Sequence, residues 1–259
     1  MAAGVSLCRP QPPAPTTSAL PPHPATERVQ SSAASLHWLR DCDQRLRHRF
    51  WLKFVGISAF MSIFFVAYFH LLRHPARPVT VMPLTALDQA IPVQPGWMAA
   101  YVSLWVYVGL APGLLIGLRA LIAYGAWIAA LCATGLLCFY LVPTAVPRLP
   151  LAVDLAQHPA FAMLQGVDAA GNACPSLHVA TALHAAIWLD HLLRRMAAPG
   201  GLRLLNAAWL LLIVYSTLAT KQHVVWDVVG GTLLALPFAW ASLRWFPHAG
   251  NGGLAGGGR

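Results

Sequence analysis

A histidine and an aspartate four residues apart, His223 and Asp227, lie in the run "TKQHVVWDVVGG" at the start of an apolar segment. On a helix, positions i and i+4 share one face a turn apart, so the carboxylate can accept a hydrogen bond from one imidazole nitrogen. That bond fixes the tautomer, makes the other nitrogen the better nucleophile and steadies the ring once charged. A charge at membrane depth costs roughly 2.5–3.5 kcal/mol on insertion scales and by default marks a functional position. A second histidine, His178, closes "CPSLH". Pro175 there suits a first helical turn, and Ser176 with the free backbone N–H groups beside it can hold an anion. Lys221 and, in "VPTAVPR", Arg148 add positive charge where phosphate oxygens would sit, and Arg can bind two oxygens at once. Two histidines, an orienting acid and a cationic cradle are the parts of a phosphoryl-transfer site. Taken singly, each has a plainer reading: Ser176 as a helix cap, Lys221 as a snorkelling side chain, Arg148 as a loop charge.

The elements that must position these residues are membrane helices. Of 259 residues, 58% are hydrophobic and 10% charged, with a mean hydropathy of +0.59. A soluble domain averages about 25% charged residues. Crossing a bilayer takes about 20 apolar residues, and six segments come close to that: about 51–72, 97–118, 120–142, 176–193, 204–220 and 223–244. The chain is therefore expected to be an all-α, polytopic membrane protein of about six transmembrane helices. Residues 1–35 read as a disordered Pro-rich tail, and 247–259 as a Gly-rich one. Between the first tail and the 51–246 membrane domain, "LHWLRDCDQRLRHRFW" suggests a short basic helix on the membrane surface or a solvated juxtamembrane linker. No signal peptide is expected, because the first apolar run is too long for one. The five cysteines, Cys8, Cys42, Cys132, Cys138 and Cys174, show no metal-ligand spacing and read as free thiols.

Charge gives the orientation. With the N-terminus inside, the inner side receives thirteen basic residues and the outer side four: Arg73, Arg77, Arg148 and Lys221. The positive-inside rule then places both termini in the cytoplasm and the loops 73–96 and 143–175 outside. Arg148, Ser176, His178, Lys221, His223 and Asp227 all fall at the outer level. The net charge of +9 thus reports topology, and with no aromatic-interleaved basic face no nucleic-acid partner is expected. An Arg-rich composition with abundant Ala, Pro and Gly is of the kind a GC-rich bacterial genome encodes, which points to a bacterial inner membrane. His184 and His191 lie about 240° and 220° around the helix from His178 and read as packing or hydrogen-bonding residues. Asp190 and Arg194 read as a structural i,i+4 pair, and Gly230 with Gly231 as a site of close helix approach.

"CPSLHVA" and "STLATKQHVVWDVVGG" resemble the two histidine motifs of the type 2 phosphatidic acid phosphatase superfamily, and the likeness extends over the six-helix layout, about residues 50–245. The resemblance implies His223 as a nucleophile that forms a phosphohistidine, Asp227 as its orienting partner and His178 as general acid, then base. It further implies an extracytoplasmic active site, a lipid phosphate or phospholipid substrate, and no metal or other cofactor. Two departures separate the chain from the lipid phosphatase branch. That branch has a lysine seven residues before an Arg-Pro pair, where this chain has Leu141, Arg148 and Leu149; it also has an Arg after the motif's Ser, where Thr217 stands here. "VPTAVPR", "LDQAIPVQP" and "PSLH" are instead similar to the inositol phosphorylceramide synthase-like branch, related in motif to sphingomyelin synthases, which passes a phospho-headgroup to an alcohol or polyol acceptor. In "LDQAIPVQP", Asp88 would shape the outer vestibule or cap its own loop.

The expected activity is a hydrolase or transferase on a lipid phosphate, with water or an alcohol completing turnover. Two other classes remain open at this stage. One is an intramembrane metal enzyme with His178, His223 and Asp227 as ligands. The other is a non-enzymatic transporter, which would string polar residues through the full depth of the membrane.

Overall fold

A helix that is apolar on every face belongs in a protein core or in a bilayer. Phe50–Arg73 forms such a helix, α2, and its Ile63 and Val66 side chains stay 73% exposed, which leaves lipid as their surroundings. The computed structural model describes residues 37–147, 153–167 and 171–246. Arg148 and the two terminal tails read from the sequence, 1–35 and 247–259, lie outside the described residues.

The chain is all-α. A helix over 37–47, α1, precedes α2. Then follow α3 (Ala86–Ala90), α4 (Met98–Gly113), α5 (Leu118–Leu141), α6 (Pro159–Val167), α7 (Leu177–Arg195), α8 (Gly200–Ala219) and α9 (Val225–Arg244). Four of these, α2, α5, α8 and α9, are long and apolar enough to cross a membrane. The other two expected spans became α4 and α7. α4 has only 16 residues, because Pro112 in its last turn cannot continue the hydrogen-bond ladder and the chain tightens at Leu114 and Leu115. α7 carries Asp190, Arg194 and Arg195 near its C-terminal end. The strands described are two residues each, β1 (Thr80–Val81) and β2 (Thr144–Ala145), paired in parallel so that the two long loops meet.

α7 is the central helix, packed on α4, α5, α8 and α9. Ala180, Ala182, Ala185, Trp188 and Leu192 line its buried faces, together with Leu104, Ala111, Leu115 and Ile213 from its neighbours. Polar groups inside an apolar bundle need partners within it, and several are paired here. Tyr107 donates its hydroxyl to Asn206 Oδ1 at 2.6 Å, and Asn206 Nδ2 donates to the Ala186 carbonyl at 3.0 Å. Trp188 Nε1 donates to Ser242 Oγ at 2.8 Å, and the same hydroxyl lies 3.4 Å from His184 Nε2. At the opposite end from the histidine motifs, Lys53 Nζ donates to the carbonyls of Arg45 and Gly113, at 2.6 Å each, tying α1 to the end of α4. Asp190 accepts from Arg194 and from Arg203, both at 2.7 Å.

Where α9 crosses α7, glycine sets the spacing. A Cβ at Gly231 would fall on the Ser176 carbonyl oxygen and 3.2 Å from Val179 Cβ; one at Gly230 would meet Cys174 Sγ at 2.9 Å. Gly231→Ala should lower the midpoint of thermal unfolding in detergent, since overpacking of this kind costs about 1–3 kcal/mol. An unchanged midpoint would show that the crossing tolerates a methyl group.

Candidate active site

His223 is delivered by the turn that ends α8. The N–H of Gln222 bonds the Thr217 carbonyl, five residues back, and the N–H of Lys221 bonds the Leu218 carbonyl, three back. With Lys221 at φ 56, this is a Schellman closure, whose left-handed position usually holds Gly. The lysine side chain has a use there. Its Nζ donates to the carbonyls of Asp88 and Ile91, at 2.7 and 2.6 Å, and so caps α3. Burial pushes the Lys221 ammonium down from its ordinary pKa, with the Asp88 carboxylate opposing the shift. The backbone N–H of His223 bonds the Thr217 carbonyl as well, which fixes the residue at the end of the turn.

α9 then begins without a side-chain cap, since its N-cap is Val224. Asp227, in the third helical position, reaches back instead: its Oδ2 accepts from the Val224 N–H at 2.9 Å and lies 3.3 Å from His223 Nδ1. Asp227 is wholly buried and His223 nearly so. The i,i+4 pair expected from the sequence is therefore present, and the same carboxylate caps its helix. If Nδ1 carries the proton, Nε2 presents a lone pair away from Asp227.

α7 starts beside it. Ser176 is the N-cap, its Oγ accepting from the Val179 N–H at 3.3 Å, and its own N–H donates to the Asp227 carbonyl at 3.0 Å. One backbone bond thus joins the start of α7, which bears His178, to the first turn of α9, which begins two residues after His223. The rings of His178 and His223 lie 6.2 Å apart between centroids. His178 stacks on Tyr101 at 4.2 Å and meets the edge of Trp105 at 5.2 Å. Its Nε2 is shielded from solvent with no hydrogen-bond partner among the described residues.

Five of the six expected site residues are described. His178, His223 and Asp227 converge, Ser176 sits at the backbone joint between their helices, and Lys221 is turned to the α3 carbonyls; Arg148 lies outside the described residues. Ahead of it, the loop is anchored by Thr144, whose Oγ1 accepts from the Cys174 N–H at 2.8 Å. Among the described residues, no group of three or more His, Cys, Asp or Glu side chains is arranged to hold a metal ion. Nothing in the sequence marks Tyr101 as the stacking partner of His178; only its i,i+4 relation to Trp105 points to one aromatic face of α4. Tyr101, Trp105, His178 and His223 line a cavity of about 990 Å³. Its wall along α2 runs from Phe50 to Phe69, about 28 Å of helix at 1.5 Å per residue.

The family model of the PAP2 superfamily matches residues 144–250, a stretch that holds both histidines and Asp227. Over that stretch, less than half of the chain, the sequence is similar to the PAP2 superfamily. No curated protein and no solved structure matches the chain.

Cys174, in the loop that leads into α7, gives a check on this geometry. Burial, and after it the nearby Asp227 carboxylate, push its thiol up to about 11. Because the thiolate is the nucleophile, alkylation of Cys174 by N-ethylmaleimide at pH 8 should run about a hundredfold slower than that of a thiol with its ordinary pKa. The rate should keep rising, about tenfold per pH unit, up to pH 10. Peptide mass spectrometry would read it, and a rate that levels off near pH 9 would contradict the burial of Cys174 beside Asp227.

Proposed function

We propose that the protein is a membrane-embedded lipid phosphatase or phosphotransferase that works through a phosphohistidine on His223 at the extracytoplasmic face. The observation that carries the proposal is the convergence on one cavity of His178 from α7 and His223 from the α8–α9 turn, the latter held by a buried carboxylate. With its Nδ1 proton directed to Asp227, His223 attacks phosphorus through Nε2. The P–O bond to the leaving alcohol breaks as His178, entering protonated, gives its proton to that oxygen. His178, now neutral, takes a proton from water or from an acceptor alcohol, whose oxygen attacks the phosphohistidine and frees His223. Asp227 stabilises the charged ring between the two steps.

The phosphate oxygens would be held by Arg148 and the N-terminus of α7 at Ser176, with the third Lys221 N–H available beside them. The long aromatic-walled cavity suits a hydrocarbon chain, so the substrate is a lipid phosphate or phospholipid. Six crossings follow if α4 and α7 span with the four longer helices. The charge asymmetry of the loops then puts the site outside, at a bacterial inner membrane. Transfer to a polyol, as in the inositol phosphorylceramide synthase-like branch, differs from hydrolysis only in the acceptor.

Reconstituted in liposomes with headgroup-labelled phospholipids, phosphatidic acid, ceramide and inositol, the protein should release phosphate or form a new labelled lipid, and His223→Ala should abolish either product. Product formation unchanged in that variant would rule out His223 as the nucleophile. Asp227→Asn should fold yet lose most turnover, at least about a hundredfold, because the ring then loses its tautomer and its charge partner; wild-type activity would refute the orienting role. Vanadate, which mimics five-coordinate phosphorus, should inhibit at micromolar levels, and indifference at millimolar levels would contradict the covalent step.

A further inference from the structure

α9 lacks the side-chain acceptor that most helices carry at the N-cap, and the outer loop supplies one from 137 residues away in sequence: Val225 N–H donates to Asp88 Oδ1 at 2.9 Å. The other oxygen of Asp88 is held by Thr85, which donates to Oδ2 from both its backbone N–H, at 2.8 Å, and its hydroxyl, at 2.7 Å. Asp88 is thus 4% exposed and bonded at both oxygens. Four more ties join the same loop to the turn that carries His223. Lys221 Nζ reaches the carbonyls of Asp88 and Ile91. Gln94 donates its backbone N–H to the Ala219 carbonyl at 2.9 Å and its side-chain amide to the Tyr215 hydroxyl at 2.9 Å.

These bonds bracket His223 on both sides, at Lys221 and at Val225, while Asp227 holds its ring. We propose that Asp88 is a positioning residue for His223: it closes the first turn of α9 from the outer loop and so fixes the direction in which His223 Nε2 points. The inference rests on the reading of His223 as the nucleophile. A loop that only decorated the outer surface would have no reason to bury an aspartate against a helix start. A carboxylate at a helix N-terminus is also favourable to the helix dipole, so the arrangement is self-supporting. Asp88 touches no reacting atom. Its effect is on turnover, because a displacement of about 1 Å at a nucleophile costs up to about a hundredfold in rate.

Two variants remove the bond from opposite ends. Asp88→Ala deletes the acceptor. Val225→Pro deletes the donor and suits the site otherwise, because Val225 is the first helical residue, where proline is favoured, and Val224 before it is already extended at φ −107 and ψ 168. With phosphatidic acid in phosphatidylcholine vesicles, both should lower kcat by about ten- to a hundredfold with KM within twofold. Asp88→Asn keeps one oxygen for the Val225 N–H but turns an amide donor toward the Thr85 N–H, and should recover part of that loss. Hydrogen exchange at His223 and Val224 should quicken in both damaging variants. Wild-type kcat in Val225→Pro and Asp88→Ala, or exchange unchanged at 223 and 224, would overturn the proposal. His223→Ala tests the reading beneath it: full turnover there would remove the nucleophile, whereas the exchange rates would still decide whether Asp88 holds the turn.

Discussion

A carboxylate with no exposed surface, set in the first turn of a helix among apolar neighbours, is tolerable only if donors surround it. Asp227 has two on Oδ2, the Val224 N–H and His223 Nδ1, while its Oδ1 is buried with no partner among the described residues. Both come from its own chain within four residues, so the helix start, the acid and the histidine form one local unit. Moving any of them exposes an unmet charge or an unmet N–H. The backbone of Asp227 extends the unit to α7 by accepting from Ser176, and the glycines at 230 and 231 leave room for that approach. The rest of the bundle can be understood as what keeps this joint at one level of the membrane.

The bundle does so with a division of labour along its depth. In the middle, small residues on α7 let helices come close, and paired polar groups such as Tyr107–Asn206 and Trp188–Ser242 link neighbouring helices without unmet donors. One end is fastened by Lys53 on the carbonyls of Arg45 and Gly113. The other is fastened by the loop between α2 and α4, which ties down the turn between α8 and α9. Between the two ends, the aromatic residues of α2 and α4 leave a long cavity that ends at the histidines. A rigid polar head beside an apolar slot is the arrangement an amphiphilic substrate requires.

Much of this was legible in the sequence because the signals were local. The apolar runs predicted the long helices, and the spacing of His223 and Asp227 predicted their contact. Pro175 and Ser176 announced the start of α7, which begins at Leu177. The sequence is silent where a short-range signal has a long-range partner. The 97–118 run reads as long enough to span, and its helix, α4, ends at Gly113 just past Pro112. Lys221 reads from the sequence as a phosphate ligand; that its ammonium also bonds the carbonyls of Asp88 and Ile91 is a contact no pattern within the TKQH stretch could reveal. Asp88 was read as vestibule or loop cap. It does cap its own loop through Thr85, but its bond to Val225 depends on a tertiary meeting of segments far apart in the chain. Tyr101 escaped notice because an aromatic residue in an apolar helix carries no mark of what it stacks on.

The central claim is that His223 becomes covalently bonded to phosphorus and that His178 serves the other face of the reaction. An aryl phosphate, whose leaving group departs without help from an acid, separates the two steps. Given to the His178→Ala variant, it should form the phosphohistidine and then stall, since no base remains to activate water. Rapid quenching at alkaline pH and peptide mass spectrometry should then find phosphate on His223 at close to one equivalent per active site. Phosphate on another residue, or release of the aryl alcohol and phosphate together with no adduct at any time, would contradict the account.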